Sequence, residues 1–162
     1  MIHSGTFIAQ RPADEVFDLL ASPERFAPLM PDFESMAMHD ATHFSLRTVI
    51  HVGPMSGHAN LAMELREAVR PVKVSYAGEA MIAGGPLRLN LQFTLAPADD
   101  ATEVAWEGEI SLGGSLALMA GSLVETMGGE NFARMAKRLQ EDLRLPLPEE
   151  APAPSEPPDY EI

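Results

Sequence analysis

"LRLNLQFTLAPADDATEVAWEGEI", residues 87–110, alternates apolar and polar side chains with a period of two. Leu87, Leu89, Leu91, Phe93 and Leu95 share one parity, against Arg88, Asn90, Gln92 and Thr94. After the turn-forming run "APADDA", Val104, Trp106 and Ile110 repeat the pattern against Glu103, Glu107 and Glu109. Successive side chains of an extended chain point to opposite faces, so each segment predicts a strand with one dry and one wet face. Strands of this kind joined by short turns build an antiparallel meander.

The pattern continues upstream. Val72, Val74, Tyr76 and Ile82 oppose Lys73, Ser75 and Glu79, and "GGP" at 84–86 turns the chain. Ala59, Leu61, Met63 and Leu65 take one face between the turns "GPMSG" (53–57) and "RP" (70–71). In 44–52, Phe44, Leu46, Ile50 and Val52 alternate with His43, Arg47 and His51. "FESMAM" (33–38) and "TFIAQ" (6–10) supply two more strands, about seven in all. Between those two, Pro12 opens a short helix with Val16, Leu19 and Leu20 on one side. "SPERF" restarts a second, with Ser22 as N-cap and Pro23 at its first position, before Pro28 and Pro31 end it.

Downstream lies "GGSLALMAGSLVETMGGENFARMAKRL", residues 113–139. At about 100° per residue, Ala117, Gly121, Val124, Gly128, Phe132, Met135 and Leu139 form one stripe, small residues first and large ones after. Leu116, Met119, Leu123 and Met127 form a second stripe confined to the first half, so that half is apolar over most of its circumference. It must be surrounded or must touch something other than water. Methionine suits an irregular or adaptable lining as well as an ordinary core. Gly128-Gly129 reads either as a soft joint or as a weak point held by packing.

The order is strand, two short helices, about six strands and one long helix, which is an α+β arrangement with the helices on one face of the sheet. The folded unit spans residues 1–143. The remainder, 144–162, holds six of the 14 prolines and five acids with few large apolar groups, and is expected to be a disordered tail.

Charge narrows the partners. The net charge is -13, from 24 acids and 11 bases, which repels phosphate backbones and anionic lipid surfaces. No nucleic acid, integral membrane segment or signal peptide is expected, and the cytoplasm is the default location. The absence of cysteine removes disulfides, thiolate metal sites and cysteine nucleophiles. The histidines offer little: His43 and His51 fall on the wet face of one strand and His58 on the wet parity of the next, so no metal site is expected. There is no phosphate-binding loop and no dinucleotide fingerprint, hence no cofactor. Ser111, Ser115 and Ser122 lack an evident partner base, and no catalytic residue is assigned. The polar groups expected on the dry faces are Thr48, Tyr76 and the Trp106 indole.

Three stretches carry a resemblance. "GTFIAQRPADEVFDLLASPERFAPLMPDFESM", "HVGPMSGHANLAMEL" and "TEVAWEGEISLGGSLALMAGSLV" are similar to the opening strand and helices, the hairpin and the final strand–helix passage of the SRPBCC (START/Bet v1-like) superfamily. Within it the chain resembles the CoxG-like family, named for the G component of carbon monoxide dehydrogenase. It departs from that family at Met30-Pro31-Asp32, where leucine-proline-glycine is usual, at Gly128-Gly129, and in its acidic tail.

The resemblance implies a helix-grip fold: a curved antiparallel sheet wrapped around a long C-terminal helix, with an apolar cavity between them. It implies a non-catalytic carrier for an apolar, quinone- or lipid-like molecule, serving a molybdenum-containing carbon monoxide dehydrogenase-type enzyme whose subunits are its partners. The cavity is expected to be lined by Met63, Tyr76, Phe93 and Trp106 on the sheet, Met119, Leu123 and Met127 on the helix, and Phe26 and Met30 as a lid. The alternatives are a small enzyme of the polyketide cyclase/dehydratase type and a structural docking protein. Enzymatic action and a homodimer both remain open.

Overall fold

A computed structural model describes residues 2–52, 55–82 and 85–144, with side chains except at 50–56, 115–128 and 144. The elements are β1 (Ile2–Ala9), α1 (Ala13–Leu20), α2 (Pro23–Phe26), one 3-10 turn (Ala27–Leu29), β2 (Phe33–Met38), β3 (His43–Val52), β4 (Met55–Val69), β5 (Lys73–Ile82), β6 (Gly85–Ala98), β7 (Ala101–Leu112) and α3 (Gly114–Arg144). The expected tail, past Arg144, lies outside the described residues.

The strands form one curved antiparallel sheet in the order β1-β7-β6-β5-β4-β3-β2. β2 to β7 run as the meander that the alternation dictates, and β1 closes the far edge against β7, pairing Phe7 with Val104 and Ile2 with Glu109. Register shifts between Phe33 and Ser35 in β2 and between Leu65 and Glu67 in β4 mark bulges, which bend and twist a sheet locally. The β6–β7 turn is held to Asp99-Asp100, with Asp99 at φ 59°, a left-handed conformation that Asp tolerates better than most residues.

The parity assigned from sequence is the parity observed. Phe44, Leu46, Ala59, Leu61, Met63, Val74, Tyr76, Leu87, Leu89, Leu91, Phe93, Leu95, Val104 and Trp106 are all buried on the concave side. Val72 departs from it: it precedes β5, at the end of the turn, and is 42% exposed although its carbonyl still accepts from the Leu95 N–H of β6. "TFIAQ" is only the second half of β1, which begins four residues earlier.

α1 lays Val16, Phe17, Leu19 and Leu20 on the core. Arg70, in the β4–β5 turn, ties it down by pairing with Asp14 and Asp18 and by stacking its guanidinium over the Phe17 ring at 4.6 Å. Pro12 stands at the N-cap of α1, one position ahead of its first turn, and Ser22 caps α2 without a side-chain bond.

α3 is one continuous helix through Gly129. Its C-terminal half buries Phe132, Met135, Leu139 and Leu143, the large-residue half of the predicted stripe extended by one turn. Burial of each such side chain is worth about 1.5–3 kcal/mol. The small-residue half, Ala117 to Gly128, lies outside the described side chains. α3 packs chiefly on β1 and β7, where Gly108 lets the Phe132 ring approach so closely that a Cβ there would stand 2.6 Å from it.

Candidate ligand site

Among the described residues, the concave face is the one large apolar layer the strand pattern makes. Phe26, Tyr76 and Phe93 converge on it. Phe26 stacks on Tyr76 with centroids 4.8 Å apart, and meets Phe93 edge-on at 5.6 Å; Phe44 stands edge-on to Tyr76 at 6.1 Å. The Tyr76 hydroxyl donates to the Leu20 carbonyl at 2.5 Å. Burial pushes the phenol's pKa well above the usual tyrosine range, so it stays protonated and committed to that carbonyl. Met63 lies across β4–β5 with its Sδ in the space a Cβ on Gly78 would take.

Trp106 is at the β1 side of the face, 6.0 Å from the Phe132 ring and opposite Gly5, where a Cβ would come within 2.9 Å of the indole. Met30 is buried in the loop after α2. That loop is pinned to α3: Arg138 donates to the carbonyls of Pro28 and Met30, each at 3.3 Å, and Arg134 pairs with Asp32 at 3.3 Å. Asp32 has φ 59°, a left-handed conformation that glycine adopts most readily. Met119, Leu123 and Met127 lie outside the described side chains. The structure therefore brings Phe26, Tyr76 and Phe93 together, sets Trp106 beside them on β7, and seats Met30 at the junction with α3.

One concave-face residue escaped the sequence reading. His3, half-buried in β1, opposes Gly108 and is 5.9 Å from the Phe132 ring. Its signal was parity: Phe7 and Ala9 are inward, so Gly5 and His3 are too, once the strand is known to start at Ile2. Thr102, buried where only Thr48, Tyr76 and Trp106 were expected, donates its hydroxyl to the Arg11 carbonyl at 2.7 Å.

His43 and His58 face outward as expected, and His39 is exposed too. His43 contacts Asp40 at 3.0 Å and Glu64 at 3.6 Å; His58 contacts Glu34 at 2.9 Å, where Arg47 also pairs; His39 meets the Ser45 hydroxyl. His51 lies outside the described side chains. The Thr42 backbone N–H and the His43 side chain hold the Asp40 carboxyl down to a pKa of about 2. Among the described residues no three potential ligands gather as a metal site. A groove of about 230 Å³ on the wet face, between Arg66, Ser75, Asn90, Gln92 and Glu107, is polar at its rim and lies on the far side of the sheet from the apolar layer.

The family model for CoxG, the G component of carbon monoxide dehydrogenase, matches residues 5–144, most of the chain. The chain belongs to the CoxG family. Solved structures share its architecture at low identity. A protein from Geobacillus kaustophilus aligns with a TM-score of 0.75 and 14% identity over 88% of this chain and 95% of that one. A START superfamily protein from Mycobacterium smegmatis aligns at 0.64 and 13%, over 88% and 96%. The Zhui aromatase/cyclase from Streptomyces sp. R1128 aligns at 0.63 and 15%, over 88% and 93%. No curated protein matches. These likenesses establish the helix-grip α+β fold of this CoxG member. No helix among its described residues is long and apolar enough to cross a membrane.

Proposed function

We propose that this CoxG-family chain is a non-catalytic carrier in the cytoplasm. It holds an apolar, quinone- or lipid-like molecule between the concave face and the first half of α3. Met63, Tyr76, Phe93 and Trp106 form the floor, Met119, Leu123 and Met127 the roof, and Phe26 and Met30 the lid. The observation that carries the reading is the segregation of charge. At the described strand positions every Asp, Glu, Lys and Arg points away from the concave face, which offers apolar groups and a few polar ones. Pockets for small apolar molecules are built this way. The partner served would be a carbon monoxide dehydrogenase-type enzyme of the molybdenum-containing kind; the family's name supports the carbon monoxide dehydrogenase part of that reading.

Native mass spectrometry of freshly purified protein, followed by solvent extraction, tests this. A co-purifying apolar molecule of defined mass is expected. A protein that is empty and refuses added quinones and lipids, yet forms a tight dimer or hetero-complex, overturns the carrier in favour of a docking protein.

The enzyme reading, of cyclase or dehydratase type, draws on His3, an imidazole on the inner face. It needs a second acid–base group there. Tyr76 is bound to Leu20, and His43 and Glu64 pair with each other on the wet side. The carrier is the reading the geometry favours.

A further inference from the structure

We propose that β1 is a self-association edge: two copies of this chain pair their β1 strands antiparallel about a two-fold axis, in the register centred on Gly5, and so join two seven-stranded sheets into one. The inference concerns the outer edge of the sheet and does not rest on what the concave face holds.

The two edges of the sheet are built differently. β2 carries the devices that keep an edge strand from pairing with other chains. It has a register shift between Phe33 and Ser35, and its Glu34 is paired with Arg47 at 3.1 Å and with His58 at 2.9 Å. β1 carries none of them. It runs from Ile2 to Ala9 against β7 without a shift, contains no proline, and alone among the described strands has no Asp, Glu, Lys or Arg. On its wet face stand Ser4 and Thr6 between Ile2 and Ile8, which are 56% and 41% exposed. Its outer edge pairs with no strand among the described residues.

Charge and register identify the occupant. Two chains of net charge -13 repel, and a strand without charge is where they can meet. The Glu103, Glu107 and Glu109 rows on β7 of the two copies would stand about three strand spacings apart, roughly 14 Å, beyond the Debye length at physiological salt. Successive residues of a strand turn their backbone N–H and C=O to opposite edges, so two β1 strands can be centred only on a residue, not between two. Centred on Gly5, Ile2 meets Ile8, Ser4 meets Thr6 and His3 meets Phe7, so apolar, hydroxyl and ring side chains each face their own kind. Centred on Ser4, Ile2 meets Thr6 and Ile8 is left over; centred on Thr6, Ile8 meets Ser4 and Ile2 is left over. The seam is short beside the roughly 800 Å² a side of standard interfaces, so a weak dimer is expected, with a Kd of about 10–100 µM.

The test uses the full chain in sedimentation velocity up to about tenfold above that range. A monomer–dimer equilibrium is expected, tightening several-fold between 50 and 500 mM salt as the repulsion is screened. Ile8→Lys, at an exposed position, should weaken it at least tenfold while leaving the urea midpoint of the dilute monomer unchanged. The chain has no cysteine, so introduced thiols report the register. Ser4→Cys mixed with Thr6→Cys should form a disulfide-linked dimer on mild oxidation, and neither variant alone should do so efficiently.

A chain that stays monomeric overturns the proposal, and protected β1 amides in hydrogen exchange would then put another segment of the chain on that edge. A dimer indifferent to Ile8→Lys, or one that salt weakens, places the interface elsewhere. Cross-linking of Ser4→Cys alone or of Thr6→Cys alone overturns the register centred on Gly5.

Discussion

Gly129 of α3 lies flush against the His3 imidazole of β1, two residues separated by nearly the whole domain in sequence. A Cβ on Gly129 would stand 2.9 Å from the ring's Cε1 and 3.0 Å from Nδ1. The glycine pair therefore has a packing reason at its second member, whatever hinge motion it also allows. Gly129→Ala gains about 1 kcal/mol of helix propensity but must displace a ring held between helix and sheet. We expect a net loss of about 1–2 kcal/mol in urea unfolding. His3→Ala should relieve it, so that the double variant is more stable than Gly129→Ala alone; strict additivity of the two changes would dismiss the contact.

The Tyr76–Leu20 bond joins the sheet to the end of α1. Tyr76→Phe leaves a buried carbonyl without its donor and should cost about 1–2 kcal/mol. The same hydroxyl produces an alkaline limit. Its folded pKa lies above the unfolded value, so its contribution is complete below about pH 10 and declines as pH rises from there. Urea midpoints measured between pH 8 and 11 should fall less steeply in Tyr76→Phe than in the unmutated protein.

Asp40 behaves oppositely. Its carboxyl is depressed from 3.8 to about 2, chiefly by the Thr42 N–H and then by His43. The stabilisation is present above the unfolded pKa and is lost as pH falls towards the folded one, between about pH 4 and pH 2. A carboxyl 13C titration should place its midpoint near the lower figure. In Asp40→Asn the stability change over that interval should shrink.

Asp32 holds a left-handed backbone in the loop that α3 pins. Asp32→Gly removes that strain and the Arg134 pair together, and should change stability by no more than about 0.5 kcal/mol. Asp32→Val, whose branched side chain resists positive φ, should cost about 1–3 kcal/mol. Equal midpoints for the two variants would mean that the loop relaxes.

The alternation of residues 44–110 determined by itself which side chains are dry, because a period of two leaves each strand one choice of face once a single apolar residue is placed. A slip of one residue would expose the whole set. The large-residue half of the α3 stripe was legible for the same reason, with a period of 3.6. What lines up across the sheet was not legible. β1 pairs with β7, about a hundred residues away, and periodicity says nothing about such distant partners. Nor does it settle how far a strand extends: "TFIAQ" stops short of His3 because Ser4 and Gly5 break the apolar signal, while the backbone ladder to β7 carries β1 back to Ile2. Local sequence thus chose the faces, through side-chain hydrophobicity. Tertiary structure chose the neighbours, because hydrogen bonding between remote strands and the close approach of α3 decide which rings share one space.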